Sequence, residues 1–448
     1  MDEKRSRTHI LCVNPWIHDF AAYDVWARPM GLLILAALLR EKGFHVSFVD
    51  CLNRFHPRAS KKDPYSKQGR GPYFKQRLPL PEGLDGSDRR FSRYGIHPDW
   101  LREDLARLKK PDLVLMTSMM TYWASGVKET IALIKDVWPD VPVILGGIYA
   151  TLCTEHAEKH SGADRVVAGP GETIIFDLVE EFTGIASHES RDLLDLDNLP
   201  FPAYDLQPVI SCIPVRTSRG CPNRCAYCAS SYLSPGFSQR SAEKVVDEIR
   251  FWHDTYRVRD FAFYDDALLT HPEKHAIPLF KGVVDLKLNL GFHTPNALHA
   301  REIDTEMAEL MFRAGFQTLR LGVESADFSD RKKLDSKISE MDFSRSVSAL
   351  KKAGFRKEQI GAYLLLGLPG QSLASVEWSI REVLACGVTP VLTYYTPIPH
   401  TALWPQALKH SRYPLDQDPV YTNNSLWPCM EQGFSWKEMT YLKTVVAG

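Results

Sequence analysis

Strand-like and helix-like runs alternate along the first part of this 448-residue chain, and this alternation is the feature that most restricts its fold. Short apolar runs that suit buried strands are separated by longer runs with helical periodicity. This order is typical of a doubly wound parallel sheet, and we predict a Rossmann-like domain over residues 1–182. Its predicted strands are Ile10–Asn14, His45–Asp50, Leu113–Thr117, Val141–Leu145 and Arg165–Ala168. Its predicted helices are Met30–Lys42, Asp99–Lys109, Ser125–Val137, Leu152–His160 and Glu172–Glu181.

A second block of alternating strands and helices follows residue 211. Six strand-like runs separated by helical segments are typical of a partial (β/α)6 barrel, which we predict over residues 212–404. Residues 183–211 have no clear period and are predicted to be a linker, and residues 405–448 are predicted to form a C-terminal cap. The predicted barrel strands are Cys212–Thr217, Asp260–Tyr264, Leu288–His293, Thr318–Val323, Gly361–Leu366 and Val391–Thr396.

Residues 54–94 interrupt the alternation of the first domain. This segment is polar, rich in Gly, Pro, Lys and Arg, and longer than an ordinary connection between a strand and a helix. We predict an insertion, a long loop that is either functional or disordered. Two interpretations of it remain open, a solvated loop and a lid whose basic side chains cover a phosphate or a cofactor tail.

Length, charge and cysteine content restrict the class of protein. The chain is too long for one ordinary core, and its formal net charge of -1 gives no general reason to bind nucleic acid or an anionic membrane. The most apolar helix candidate, Met30–Leu39, is about half as long as the roughly 20 residues of a membrane span. Nine cysteines, scattered except for one cluster, argue for a reducing compartment. We expect a cytoplasmic protein without a membrane partner.

The one tight cysteine cluster has C-x3-C-x2-C spacing and comprises Cys221, Cys225 and Cys228, directly after the first predicted barrel strand. Thiolates are the preferred ligands of iron-sulfur clusters, and three of them leave one iron of a cubane without a protein ligand. A structural zinc site would need a fourth ligand. The remaining cysteines are isolated in the sequence, but a metal that serves folding alone remains an alternative.

The cysteine triad, with Tyr227 before its last member, resembles the signature of the radical SAM superfamily. Motifs at four later strand ends are also similar to this family: Phe263–Asp266, Leu321–Ser325, Leu366–Gly370 and Tyr395–Pro399. The resemblance implies a 4Fe-4S cluster that splits S-adenosylmethionine to a 5'-deoxyadenosyl radical at the ligand-binding end of the barrel. Taken singly, these glycines and carboxylates are ordinary turn and capping residues. The resemblance assigns the following residues to S-adenosylmethionine: Tyr227, Asp265, Asp266, Gly322, Glu324, Ser325, Gly367, Pro369 and Thr396.

The first domain is similar to the cobalamin-binding domain that precedes many radical SAM barrels. The resemblance lies in Cys12–Pro15, Arg28–Leu33 and Lys42–Val46 and in the glycine-rich turns after the fourth and fifth strands. Small residues there let the backbone approach a flat macrocycle. An Asp-x-His-x-x-Gly motif is absent, and His18 is expected to be polar surface. The alternative is a domain that uses its crevice for substrate or packing. The residues assigned to cobalamin are Asn14, Gly146, Gly147, Gly169, Gly171 and Glu172.

Together the resemblances imply cobalamin-dependent methylation of a small molecule, or related C–H functionalisation, with electrons from a reductant such as flavodoxin or ferredoxin. Two alternatives remain: a cobalamin-independent radical SAM enzyme that modifies RNA or forms or rearranges rings, and a non-catalytic metal protein. The short, non-basic tail and the isolated cysteines of the first domain argue against RNA. Candidate substrate contacts near the predicted barrel mouth are His293, Asn296, Tyr394, Tyr395 and His400.

Overall fold

The computed structural model describes residues 2–60, 62–85, 89–327, 334–335, 337–430 and 435–447. The described chain divides into two compact units. Unit 1 comprises residues 1–211 together with 415–426, and unit 2 comprises 212–414 together with 427–448. Each unit therefore collects residues that are far apart in the sequence.

Unit 1 is built on a parallel sheet with helices on both faces. Its described strands are β1 (His9–Asn14), β2 (Ile17–Asp19), β3 (His45–Asp50), β4 (Lys75–Arg77), β5 (Ser92–Tyr94), β6 (Leu113–Met116), β7 (Val143–Leu145) and β8 (Arg165–Val166). Its described helices are α1 (Asp2–Arg7), α2 (Met30–Glu41), α3 (Pro98–Arg107), α4 (Ala124–Val137), α5 (Ile148–Leu152), α6 (Thr154–His160) and α7 (Ile175–Thr183). The main sheet has the order β3-β1-β6-β7-β8 with every pair parallel, which confirms the predicted doubly wound fold.

The two faces of the main sheet have separate apolar cores. Leu11 and Val13 of β1 pack into one core with side chains of α3 and α4. Ile10 and Cys12 point to the opposite face and pack with side chains of α2 and α7. Because helices cover both faces of the sheet at β1 and β3, we expect ligands to bind at the carboxyl ends of the strands. In this strand order, the switch point lies between β1 and β6.

The predicted irregular insertion contains regular structure. Strand β5 pairs antiparallel with both β2 and β4, so these strands form a three-stranded sheet. Each of these strands has only three residues, and β4 is fully exposed. The prediction of a loop was wrong because such short strands show no alternation of apolar and polar residues. A further difference is that the predicted helix Leu152–His160 is interrupted at Cys153, so α5 and α6 are separate helices.

Residues 183–211, predicted as a linker, pack on unit 1. The backbone N–H of Ala203 donates to the carbonyl of Leu33 at 3.0 Å, and Arg40 forms an ion pair with Asp205. Tyr204 is fully buried. Its regular structure is limited to two short 3-10 helices, Leu196–Asn198 and Tyr204–Leu206, so its sequence carries no periodic signal.

Unit 2 is an open parallel barrel. Its described strands are β9 (Ile213–Val215), β10 (Ser218–Gly220), β11 (Phe237–Gln239), β12 (Asp260–Phe263), β13 (Gly291–His293), β14 (Phe316–Glu324), β15 (Ile360–Leu366) and β16 (Thr389–Tyr394). Its described helices are α8 (Ser230–Leu233), α9 (Ala242–Tyr256), α10 (Ala276–Asp285), α11 (Thr305–Ala314), α12 (Glu340–Lys352), α13 (Leu373–Ala385), α14 (Trp404–His410) and α15 (Trp436–Ala447). The parallel order β9-β12-β13-β14-β15-β16 confirms the predicted partial barrel, while β10 and β11 form an additional antiparallel hairpin.

The helices are too short for a membrane span. The longest helix in the described ranges, α9, has 15 residues, fewer than the about 20 that a bilayer requires. None of the helices in those ranges combines the length and the apolar character needed to cross a bilayer.

The predicted C-terminal cap is divided between the two units. Residues 415–426 belong to unit 1, where Asn423 donates a hydrogen bond of 2.9 Å to the buried carboxylate of Asp19. The hydroxyl of Tyr421 donates to the carbonyl of Glu82 in the same unit. These contacts are hydrogen bonds of single polar side chains, so composition and periodicity do not predict the path of this segment.

Candidate functional site

A glycine turn starts the loop that carries the cysteine triad. Strand β10 ends at Gly220 and pairs with β11, which returns after the loop. Gly220 has φ +80°, and a Cβ atom there would lie 2.1 Å from the carbonyl oxygen of Gly236. Only glycine fits this close approach of two backbones. The hairpin therefore holds both ends of the cysteine loop.

The three thiols of the loop are half-buried and form no disulfide bonds. Burial raises the pKa of Cys225 to about 11, against the opposing effect of the Lys337 ammonium, and burial also raises the pKa of Cys221. In the described part of the chain, no three His, Cys, Asp or Glu side chains form a ready-made metal site. The Cys228 thiol lies close enough to Cys221 and to Cys225 to interact electrostatically with both. Three soft thiolates in one short loop fit an iron-sulfur cluster.

Asp265, at the end of β12, holds the chain segment that leads into the cysteine loop. Its Oδ1 accepts hydrogen bonds from the backbone N–H and the hydroxyl of Thr217, both at 2.9 Å, and from the hydroxyl of Ser218 at 2.6 Å. Its Oδ2 is buried and has no partner within the described residues. Asp266, the next residue, is exposed and interacts with Ser230. Asp265 thus positions the loop, and its Oδ2 is open to a ligand.

Burial raises the pKa of Asp265 to about 6, which predicts a pH dependence of stability. Because the folded pKa exceeds the unfolded value of about 3.9, the native state holds the proton more tightly. This stabilisation is complete below the unfolded pKa and is lost as the pH rises through 6. Relative to Asp265→Asn, the unfolding free energy of the wild type should therefore fall by about 2 kcal/mol between about pH 4 and 7. Denaturant unfolding of the metal-free chain measures this difference, with exposed Asp254→Asn as the control. A difference that does not change with pH would contradict the assignment.

Glu324 ends β14 in a strained conformation. It is buried and has φ +59°, and the register between β14 and β15 shifts between Gly322 and Glu324. A non-glycine residue in the left-handed region costs about 1–3 kcal/mol, and such residues concentrate at functional sites. Its Oε2 is buried without a hydrogen-bond partner among the described residues. This oxygen is open to accept a hydrogen bond from a ligand.

Tyr227, Glu324 and Lys337 form a buried polar cluster, which we call the lysine triad. The hydroxyl of Tyr227 donates to Oε1 of Glu324 at 2.6 Å, and Nζ of Lys337 donates to the Tyr227 hydroxyl at 2.9 Å. Lys337 also forms an ion pair with Oε1 of Glu324. A Cβ atom on Gly322 would lie 3.1 Å from the Lys337 Nζ, so the glycine leaves room for the triad. Of the residues assigned to S-adenosylmethionine, the structure brings Tyr227, Gly322 and Glu324 together.

The remaining residues assigned to S-adenosylmethionine lie at strand ends with local contacts. Gly367 follows β15 with φ +94°, and its N–H donates to the side chain of Gln371 at 2.8 Å. The hydroxyl of Ser325 accepts from the N–H of Asp327 within one turn. Pro369 and Thr396 are half-buried in the loops after β15 and β16. Gln371, which supports the Gly367 turn, has no signal in the sequence.

The candidate substrate residues differ in their positions. His293 is fully buried inside unit 2, where its ring nitrogens contact Asp260 and Thr318, both at 3.1 Å, so it supports the fold. The Asn296 side chain donates to the carbonyls of Tyr264 and Asp265 and ties β12 to the loop after β13. The other three candidates end or follow β16: Tyr394 contacts Met439, Tyr395 is buried, and the His400 ring stacks on Tyr232 at 4.0 Å.

Glycines line the carboxyl edge of the unit 1 sheet. Gly147, after β7, has φ +94°, and a Cβ atom there would lie 2.4 Å from the carbonyl oxygen of Ser118. Gly169, after β8, has φ +84° and open space where a Cβ would be, and its N–H donates to Thr151. The Ser118 hydroxyl donates to the carbonyl of Gly146 at 2.7 Å. The turns after β6, β7 and β8 are thus closely joined and present little side-chain bulk.

The other residues assigned to cobalamin lie at or near the same edge. Asn14, at the end of β1, donates to the Asp50 carboxylate at the end of β3, at 2.8 Å. Gly171 lies against Leu35, and the next residue, Glu172, is buried. Three large side chains of unit 1 are more than a third exposed: Tyr23 and Val25 between β2 and α2, and Ile148 at the start of α5. A glycine-lined edge with little side-chain bulk fits a flat macrocycle.

His18 is a buried residue, so its interpretation as polar surface was wrong. Its Nε2 lies 2.7 Å from the Glu129 carboxylate and its Nδ1 lies 3.2 Å from the Ser125 hydroxyl. Arg93 also binds the Glu129 carboxylate, and Glu129 has a pKa lowered to about 2 by His18 and Arg93 in spite of burial. The ring thus lies between Glu129 and Ser125.

Two families match separate parts of the chain. Residues 215–383 match the Radical SAM superfamily, and residues 94–179 match the B12 binding domain. The first match contains the cysteine loop and the ends of β12, β14 and β15. The second contains the turns after β6, β7 and β8, whereas β1 and β3 lie outside it.

Similar proteins are found in archaea and bacteria. An uncharacterised methyltransferase from Pyrococcus horikoshii is 26% identical, over 71% of this chain and 74% of that protein. The cytidylyl-2-hydroxyethylphosphonate methyltransferase of Streptomyces wedmorensis is 23% identical, over 82% of this chain and 74% of that protein. Among solved structures, the radical S-adenosylmethionine methyltransferase TsrM from Kitasatospora setae, with cobalamin and a [4Fe-4S] cluster bound, aligns with a TM-score of 0.65. That alignment has 17% identity and covers 91% of this chain and 79% of TsrM, so it shows a shared fold.

Proposed function

Because this chain is a radical SAM enzyme with a B12-binding domain, we propose that it transfers a methyl group to a carbon atom of a small molecule. The observation that carries the proposal is the presence in one chain of two different cofactor sites. Unit 2 holds the cysteine loop beside the lysine triad, and unit 1 has the glycine-lined carboxyl edge. Cobalamin-dependent methylation needs both cofactors.

In unit 2, we assign the cluster to Cys221, Cys225 and Cys228. When loaded, the cluster supplies one electron to the sulfonium of S-adenosylmethionine, which yields methionine and a 5'-deoxyadenosyl radical. The protein's contribution is orientation, because a radical of this reactivity attacks whichever C–H bond lies beside it. The open Oε2 of Glu324 is placed to accept a hydrogen bond from a donor of S-adenosylmethionine. Tyr227 brings that carboxylate and the cysteine loop together.

In unit 1, we assign cobalamin to the glycine-lined edge. Bound there, cobalamin supplies a transferable methyl group that a second S-adenosylmethionine restores. Gly146, Gly147 and Gly169 let the backbone approach the macrocycle, and apolar side chains such as Ile148 offer it a dry contact. His18 is engaged by Glu129 and Ser125, so the proposal gives it no role in binding cobalt.

The similar proteins support a methyl transfer more than the alternatives. Two of them are named methyltransferases, and the substrate in the name of the Streptomyces protein is a cytidylyl phosphonate, a small molecule. We propose a small-molecule substrate here and a low-potential one-electron donor such as flavodoxin or ferredoxin as reductant. RNA modification is not favoured, because neither matched family is an RNA-binding domain.

Purification with hydroxocobalamin under anaerobic conditions tests the proposal. We expect a corrinoid absorbance that remains with the protein through gel filtration. After incubation with reductant and methyl-labelled S-adenosylmethionine, the label should appear in the corrinoid fraction. A protein that holds an iron-sulfur cluster but emerges without corrinoid would contradict methyl transfer and favour the cobalamin-independent alternative.

A further inference from the structure

Lys337 is a buried lysine whose neighbours connect it to the cysteine loop. Its side chain is about 8% exposed, and that of its ion-pair partner Glu324 is about 7% exposed. Lys337 donates to the hydroxyl of Tyr227, and nearby in the sequence the carbonyl of Leu334 accepts from the N–H of Ala226 at 2.7 Å. The ammonium thus lies against the part of the loop that separates Cys225 from Cys228.

Packing alone is a poor explanation for this ion pair. Removing two charges from water costs several kcal/mol, and apolar residues of similar volume often replace such a pair without loss of stability. Here the pair also depends on Glu324 in a strained conformation with φ +59°. A buried ion pair and a strained backbone are both unfavourable for stability, and their occurrence at the same position indicates a role in function.

The negative charge of the cysteine loop with its cluster bound gives Lys337 such a role. Three thiolates and an oxidised 4Fe-4S cluster together carry one negative charge, and reduction adds a second. A fixed cation nearby stabilises the reduced state more than the oxidised state, because the attraction grows with the negative charge. Glu324 also binds the Tyr227 hydroxyl and, like Asp335, offsets part of this effect. Lys337 nevertheless lowers the pKa of the Cys225 thiol more than Asp335 raises it, and it reaches the loop through its hydrogen bond to Tyr227.

We propose that Lys337 is a charge-compensating residue for the iron-sulfur cluster and raises the midpoint potential of that cluster. One electron enters from a low-potential donor of the flavodoxin or ferredoxin class, and no bond or proton changes at Lys337. The inference rests on the cluster of the proposed function and adds a residue that lies outside the sequence motifs.

An EPR-monitored redox titration of the reconstituted full chain, without S-adenosylmethionine, tests this role. Lys337→Met keeps an apolar stem and removes the charge. We expect its ratio of reduced to oxidised cluster at a fixed potential to fall at least tenfold, which corresponds to about 59 mV for one electron. Lys337→Arg keeps the charge and should remain close to the wild type. Lys281→Met, which removes an exposed lysine paired with Glu306 on the outer helices, should not change the potential.

The double variant Lys337→Met/Glu324→Gln separates charge from packing. It removes both charges, so its potential should lie between those of the wild type and Lys337→Met. Equal potentials for fully loaded Lys337→Met and wild type would overturn the inference. Failure of both the single and the double variant to hold a cluster would also overturn it, since Lys337 would then act in assembly. A wild-type chain that takes no cluster would instead contradict the proposed function.

Discussion

Cys225→Ala protein should reconstitute without the broad visible absorbance of a 4Fe-4S cluster and should form no detectable 5'-deoxyadenosine. Only two thiolates, those of Cys221 and Cys228, remain in the loop. Iron and sulfide content and the absorbance spectrum measure cluster loading, and chromatography measures 5'-deoxyadenosine. The loss should be nearly complete because a cubane cannot be held by two ligands of a short loop.

Cys386→Ala is the matched control for the cysteine variant. Cys386 is also a half-buried free thiol of unit 2, but it follows α13 and has no place in the cysteine loop. We expect this variant to load iron and sulfide as the wild type does. A Cys225→Ala protein with a full cluster would contradict the assignment of the triad as ligands.

Gly147→Ala should destabilise unit 1 by more than about 3 kcal/mol and abolish corrinoid binding. Gly147 has φ +94° and ψ -165°, a backbone region that is nearly exclusive to glycine and costs other residues about 1–3 kcal/mol. In addition, the new Cβ would lie 2.4 Å from the carbonyl oxygen of Ser118, and relieving this overlap moves the turn that faces the cofactor. Denaturant unfolding and retention of corrinoid absorbance after gel filtration measure the two effects.

Gly184→Ala is the control that separates backbone strain from steric overlap. Gly184 ends α7 with φ +69°, but nothing lies within 4 Å of the position of a Cβ atom. We expect this variant to lose only about 1 kcal/mol and to keep its corrinoid. If Gly147→Ala retained corrinoid at wild-type level, the assignment of the glycine-lined edge to cobalamin would be wrong.

The layered architecture could be predicted from the sequence because buried parallel strands are continuous apolar runs. Strand β3 has the predicted bounds, and β1 and β15 each differ from the prediction by one residue. The sheet formed by β2, β4 and β5 was missed because its strands are too short for a period to emerge. Residues 415–426 were assigned to a cap because their contacts with unit 1, such as Asn423 to Asp19, depend on tertiary structure.

The site could be predicted only where residue type and spacing carry the chemistry. The cysteine triad and Glu324 stand in motifs, and the structure places Tyr227 between them. Lys337 was missed because lysine is common on surfaces, and the sequence has no sign that this one is buried. The sequence predicts His18 as polar surface and offers His293 as a substrate contact. In the structure both side chains are buried beside a carboxylate, Glu129 for His18 and Asp260 for His293.

The most direct test of the account is a single-turnover assay of the anaerobically reconstituted wild type with dithionite and S-adenosylmethionine. If the loop holds a cluster with one iron accessible to S-adenosylmethionine, 5'-deoxyadenosine and methionine should accumulate together in equal amounts. Enzyme that contains a fully reduced cluster but leaves S-adenosylmethionine intact would contradict the account.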